Sequence, residues 1–247
     1  MASSQCCENP PSLSWSSGEG TVVDDFGGLK AYTSGSPDSK AAILLVSDVF
    51  GFEAPNLRKL ADKVSASGFF VVVPDFFHGD PYVPERSPIT TWLQSHGVAK
   101  GVEEAKPVVA ALKSKGLSAV GAAGFCWGAK VVVELAKSSE IQAAVLLHPS
   151  LVTVDDIKVV KCPINVLGAE IDKTSPPELV KQFEEVLSSK SETVESFISF
   201  QVDSFVKIFP GVVHGWTVRY DVNDGSAVKN AEEAHKHMMD WFVKYVK

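Results

Sequence analysis

Gly124-Phe125-Cys126-Trp127-Gly128 lies between a run of small apolar residues, Ala119 to Phe125, and a stretch of helical spacing, Trp127 to Lys137. This is the G-x-S-x-G pattern of a strand-to-helix nucleophile elbow, with sulfur in place of oxygen. A strand that turns straight into a helix forces its central residue into a strained backbone. It leaves no room for side chains two residues before and after, which explains both glycines. In such a turn the Cys126 thiol projects above a sheet at a helix N-terminus, where partial positive charge favours thiolate over thiol. The backbone N–H of Trp127 is placed to hold an oxyanion.

On either side of the elbow, short β-branched runs alternate with segments of helical period, the rhythm of a sheet with crossover helices. Thr21 to Ala31 reads as an antiparallel strand pair turning at Phe26-Gly27-Gly28. Ala41–Ser47, Phe69–Val73, Ala143–Leu147, Ile164–Leu167 and Val202–Phe209 read as further strands. Ala54–Ser67, Val98–Lys115, Pro177–Ser188 and Ala227–Val246 read as helices, and Asp75 to about Ser95, with Pro81, Pro84 and Pro88, as a loop that partly covers a site. The pattern predicts one domain over residues 18–247, and composition predicts a mobile tail over residues 1–17.

A nucleophile at an elbow needs an acid and a base after later strands, in the chain order nucleophile, acid, histidine. Asp172 follows the strand at Ile164–Leu167, in Gly168-Ala169-Glu170-Ile171-Asp172. His214 follows the strand at Val202–Phe209, in Pro210-Gly211-Val212-Val213-His214-Gly215-Trp216. His214 would handle the proton of Cys126, and Asp172 would fix the imidazole's tautomer and orientation. Glu170 is the competing acid. The predicted architecture is therefore an α/β-hydrolase fold, a mostly parallel central sheet with helices on both faces.

The 247 residues are 45% apolar and carry a net charge of −7. That balance offers no basic field for nucleic acid or anionic lipid, and no apolar run approaches the length of a bilayer span. Nothing in the first eighteen residues resembles a secretory signal, so the expected compartment is the cytosol. Four cysteines, Cys6, Cys7, Cys126 and Cys162, make neither a disulfide framework nor a CxxC pair, and no metal or cofactor is expected.

The Cys elbow, the Asp172 turn with Pro176 after it, His214-Gly215-Trp216 and Val73-Pro74-Asp75-Phe76 together resemble the dienelactone hydrolase (carboxymethylenebutenolidase) family. Leu147-His148-Pro149-Ser150 resembles its eukaryotic branch. The resemblance implies that Asp48, standing where the family typically has Glu, faces the resting thiol and that the Val49 N–H completes the oxyanion hole. It also implies a clamp for a substrate carboxylate, placed by motif on Arg86 and Arg219. His78, His148 and Trp216, with Trp92 and Trp127, are candidate pocket-lining residues.

The sequence thus predicts hydrolysis of a small ester or enol-lactone by Cys126, through an acyl-thioester that water cleaves with help from His214. A thiolate suits good leaving groups such as enolates, and amide hydrolysis is not expected. Two other readings use the same residues: an α/β-hydrolase-fold regulatory protein of weak activity, and a redox-responsive thiol protein in which Cys126 is oxidised reversibly. Oligomeric state has no signature in the sequence.

Overall fold

The computed structural model describes residues 4–11, 18–192 and 202–247. The strands are β1 (Thr21–Phe26), β2 (Leu29–Ser34), β3 (Ala41–Val46), β4 (Phe70–Pro74), β5 (Ala119–Phe125), β6 (Ala143–Leu147), β7 (Ile164–Ile171) and β8 (Ser204–Val213). They form one sheet in the order β1-β2-β4-β3-β5-β6-β7-β8. β2 runs antiparallel to β1 and β4, and every pairing from β4 through β3 to β8 is parallel.

β3, β5 and β6 are buried along their whole length, as strands covered on both faces must be. Alternate residues of β3 serve opposite layers. Ala42, Leu44 and Val46 join one core, and Ala41, Ile43 and Leu45 the other. Helices α1 (Pro55–Ser65) and α7 (Gly225–Tyr245) close the second layer, while α3 (Val98–Ser114), α4 (Trp127–Ala136) and α6 (Pro177–Glu192) close the first.

The sheet is extended in opposite directions from β3, to β4 on one side and β5 on the other. The ends of those strands open a crevice at this topological switch point, where α/β sheets bind ligands. Asp48, Cys126, His148, Asp172 and His214 lie at or immediately after the C-terminal ends of β3, β5, β6, β7 and β8 respectively.

Three segments depart from the sequence reading. Within 75–95, Ile89–Ser95 forms a helix, α2, whose only buried residues are Ile89 and Trp92. Three apolar positions, Ile89, Trp92 and Leu93, span only one turn after Pro88, too short a run to establish a helical period. Trp92 and Trp127 pack edge-on against Phe77 at 4.8 and 4.9 Å, in an aromatic cluster that holds this segment to the elbow helix. The second departure is the tail. Ser4–Cys7 form a turn of 3-10 helix with Cys6 buried, while residues 1–3 and 12–17 of the expected tail lie outside the described residues.

The third is α5 (Val154–Lys158), a helix too short to leave a periodic signal. A capping box starts it, with the Asp156 N–H donating to Thr153 Oγ1 and the Thr153 N–H to Asp156 Oδ2. Asp156 also accepts from Lys130 and Lys137 at 2.7 Å each. Burial alone would raise its pKa, but the two ammonium groups outweigh it and hold the carboxyl well below the usual range. A depressed carboxylate pKa stabilises the fold above the unfolded value and loses that contribution as pH falls through the folded one. Asp156→Asn is therefore expected to cost about 1–2 kcal/mol at pH 7, allowing for screening of partly exposed lysines, and much less below about pH 4. Urea titrations of both proteins at the two pH values measure this difference.

Candidate active site

Cys126 joins β5 to α4 with φ 51° and ψ −109°, a backbone that L-residues adopt only under constraint. The constraint is visible on every side. The Cys126 N–H donates to Leu147 O at 3.1 Å, and its carbonyl accepts from Ala129 N and Ser150 N. A Cβ on Gly124 would fall 2.2 Å from Gly128 O, and one on Gly128 would fall 2.2 Å from Val46 O. The elbow therefore needs glycine at both places for close packing, as the sequence reading supposes.

β7 and β8 run further than the apolar pattern suggested, and their ends deliver Asp172 and His214 side by side. His214 Nδ1–H donates to Asp172 Oδ2 at 2.8 Å, and both side chains are wholly buried. Asp172 Oδ1 accepts from the Thr174 and Ser175 N–H groups at 2.8 and 3.0 Å, which fixes the carboxylate. Glu170 points elsewhere, accepting from Gly211 N at the surface.

Sequence reasoning missed the residue that faces His214 and Cys126. The sulfurs of Cys6 and Cys126 and a ring nitrogen of His214 lie within 4.8 Å of one another, all buried. Cys6 Sγ also lies 3.4 Å from Ser150 Oγ and 3.5 Å from Thr174 Oγ1. The hydrogen bond from Cys126 lowers the Cys6 thiol to about 3, helped by His214 and opposed by burial. Burial and then the neighbouring Cys6 push the Cys126 thiol well up. Burial opposes protonation of His214, but Asp172 and Cys6 outweigh it and raise that pKa. The two thiols, pushed in opposite directions, and the imidazole thus form one buried cluster of interacting groups around Cys126. These three side chains form the single cluster of three potential metal ligands among the described residues, and a bound ion would occupy the same atoms.

Asp48 is buried but pairs with Arg219 rather than the thiol, Oδ2 to Nε at 2.8 Å, while its Oδ1 accepts from Phe50 N. One methylene fewer than Glu keeps it at the base of the crevice. Arg219 is likewise buried, its guanidinium over the Phe50 ring. It donates to the carbonyls of Cys6 and Glu8 at 2.9 Å each. The carboxylate clamp does not assemble. Arg86 is 70% exposed and pairs loosely with Asp80, and Arg219 is engaged by Asp48 and the N-terminal segment. His78 is also peripheral, half-exposed and bonded to Glu104.

His148 is fully buried at φ 37°, shares a 2.8 Å hydrogen bond with Thr217 Oγ1 and meets His214 edge-on. Burial first, then the charges of His214 and Arg219, press its pKa well down, so it is neutral. Trp216 packs on His148 and Phe209, and Trp127 opens α4, where its N–H belongs to the first turn. A cavity of about 840 Å³ lies beside this cluster, lined by Asn9, Pro10, Gly211, Trp216, Arg219 and Tyr220. It reaches neither Cys126 nor His214. Among the described residues no helix is long and apolar enough to cross a membrane.

The sequence profile of the Dienelactone hydrolase family matches residues 29–246. An endo-1,3;1,4-beta-D-glucanase of Zea mays is 49% identical over 196 residues, 77% of this chain, and the match spans 64% of the maize protein's length. A carboxymethylenebutenolidase homolog of Xenopus tropicalis is 35% identical over 226 residues, 88% of each chain. The crystal structure of a putative dienelactone hydrolase from Klebsiella pneumoniae superposes with a TM-score of 0.69 at 19% identity, over 88% of this chain and 93% of its own. With this profile spanning β2 to β8 and the elbow, and with these relatives, the chain belongs to the dienelactone hydrolase family.

Proposed function

We propose that the chain hydrolyses ester or enol-lactone bonds with Cys126 as nucleophile, His214 as base and acid, and Asp172 as the group that orients the imidazole. The observation that carries this reading is the buried 2.8 Å His214–Asp172 bond beside a thiol held at φ 51° in the elbow. Cys126 attacks the carbonyl carbon and the N–H groups of Trp127 and Val49 receive the oxyanion. His214 gives a proton to the leaving alkoxide or enolate, then takes one from the water that cleaves the thioester. Fixing Asp172 through two backbone N–H groups keeps the imidazole from rotating away between the two steps.

The similarity to a maize protein named as a β-glucanase raises glycosidic bonds as a second substrate class. Glycoside hydrolysis ordinarily needs two carboxyl groups, one on each side of the scissile bond. The two buried carboxylates of this site are both committed, Asp48 to Arg219 and Asp172 to His214, so the geometry favours acyl chemistry.

Acid-quenching the enzyme during turnover of p-nitrophenyl acetate tests the thioester directly. A burst of one p-nitrophenol per chain, with an acetyl group on the peptide that contains Cys126, is the expected outcome. Acetylation elsewhere, or turnover with no acylated protein under any quench, would count against the mechanism. Release of reducing ends from mixed-linkage β-glucan at a rate matching ester turnover would count against the substrate class.

A further inference from the structure

The N-terminal segment is not an inert tail laid on the surface. Gln5 reaches across to the β7 end, its Nε2 donating to Ile171 O at 3.0 Å and its Oε1 accepting from Lys173 N. Arg219, from the loop after β8, holds the carbonyls of Cys6 and Glu8. The loops that carry Asp172 and His214 thus grip the segment from both sides and seat Cys6 between them. Cys126 is 0% exposed and His214 2% with the segment in place, and Cys6 lies against both.

We propose that Cys6 and Cys126 form a redox pair in which a peroxide oxidises Cys126 and Cys6 resolves it to an intramolecular disulfide, pinning the segment over the nucleophile until a dithiol reduces it. The chemistry balances with the groups present. With the proton of the sulfur pair on Cys6, the Cys126 thiolate attacks one peroxide oxygen, the O–O bond breaks, and the departing alkoxide or hydroxide takes a proton from His214. That step leaves Cys126 as sulfenic acid. The now neutral His214 takes the proton of Cys6, the Cys6 thiolate attacks the sulfenyl sulfur, and the displaced hydroxide leaves as water with that proton. Two thiols have lost two electrons, and the peroxide has gained them.

Geometry favours this pair over the alternatives. The two sulfurs are already within 4.8 Å, and the segment that must shift to close an S–S bond of about 2.05 Å is a single 3-10 turn rather than a strand or helix of the sheet layers. Cys162 sits two residues before β7, at the opposite end of that strand from Asp172. Cys7 is only partly buried and neighbours Tyr82.

Loss of hydrolysis on oxidation rests on Cys126 being the nucleophile, as proposed above, whereas the disulfide itself does not, and the two are read separately. The full chain, reduced, desalted and kept in EDTA, is treated with hydrogen peroxide, alkylated and digested with trypsin without reduction. The peptide ending at Lys30 should be cross-linked to the one ending at Lys130. Ester turnover should fall at least about tenfold and return with dithiothreitol. Cys7→Ser should cross-link as the parent does. Cys6→Ser, compared with its own untreated rate, should lose turnover without recovery, because unresolved Cys126 passes to sulfinic acid.

Absence of the cross-link in the parent overturns the proposal, and so does a cross-link that survives in Cys6→Ser. Should Cys6→Ser fail to fold, the parent and Cys7→Ser maps still decide. A cross-link that forms while turnover is unchanged would instead leave the redox pair standing and remove Cys126 from the hydrolytic mechanism.

Discussion

Replacing Cys126 with alanine is expected to lower kcat/KM on p-nitrophenyl esters and on dienelactone at least about a thousandfold, roughly 4 kcal/mol of transition-state stabilisation. His214→Ala should cost about as much, and the double variant little more than either alone, since groups that act as one unit are not additive. The reason lies in the connectivity of the site. The thiol is pushed well up by burial and by Cys6, so it gives up its proton only to a partner placed to receive it. The imidazole holds its orientation through the 2.8 Å bond to Asp172. Removing the sulfur removes the covalent step, and removing the imidazole strands the proton. Steady-state and single-turnover rates on purified, reduced protein measure both. A Cys126→Ala protein that hydrolyses as fast as the parent would sink the mechanism and leave the elbow a structural turn.

The placement of Cys126, Asp172 and His214 at one crevice was legible because it is written in local rules. Glycines two residues either side of Cys126 are demanded by contacts at 2.2 Å, and Asp172 and His214 each follow a strand that reads as a strand. Such features survive in any window of about ten residues. The parts that were not legible depend on long-range placement. Cys6 lies 120 positions from Cys126 in a stretch of Ser, Cys and Pro whose composition resembles a loose end. Only the grip of Gln5 and Arg219 gives it a place. The clue available was chemical rather than periodic, since a thiol is among the side chains most often found buried. Arg86 and Arg219 stood equal in the sequence, yet one is a surface charge and the other a buried cation, because only Arg219 lies within reach of a buried carboxylate. Helices α2 and α5 escaped notice because seven and five residues show too few buried positions to make a period.

That buried cation carries the largest stability effect expected outside the reacting atoms. Burial alone would lower the Arg219 pKa, but Asp48 outweighs it and keeps the guanidinium charged in a place where only 1% of the side chain meets solvent. Replacing Arg219 with methionine preserves most of the packing against Phe50 but leaves the Asp48 carboxylate buried without its cation. Stranding one member of such a pair costs about 3–5 kcal/mol, or roughly 6–20 °C in melting temperature for a chain of this length. Asp48→Asn combined with Arg219→Met removes the stranded charge, and the amide side chain retains an oxygen to accept from Phe50 N. The double variant should therefore be more stable than Arg219→Met alone. What it fails to recover measures the two hydrogen bonds that hold the carbonyls of Cys6 and Glu8. Urea titration of the parent, the two single variants and the double variant completes the cycle. A cost below about 1 kcal/mol for Arg219→Met would mean the pair is solvated and behaves as a surface contact. A double variant no more stable than Arg219→Met would mean that anchoring of the N-terminal segment, rather than the ion pair, is what Arg219 contributes.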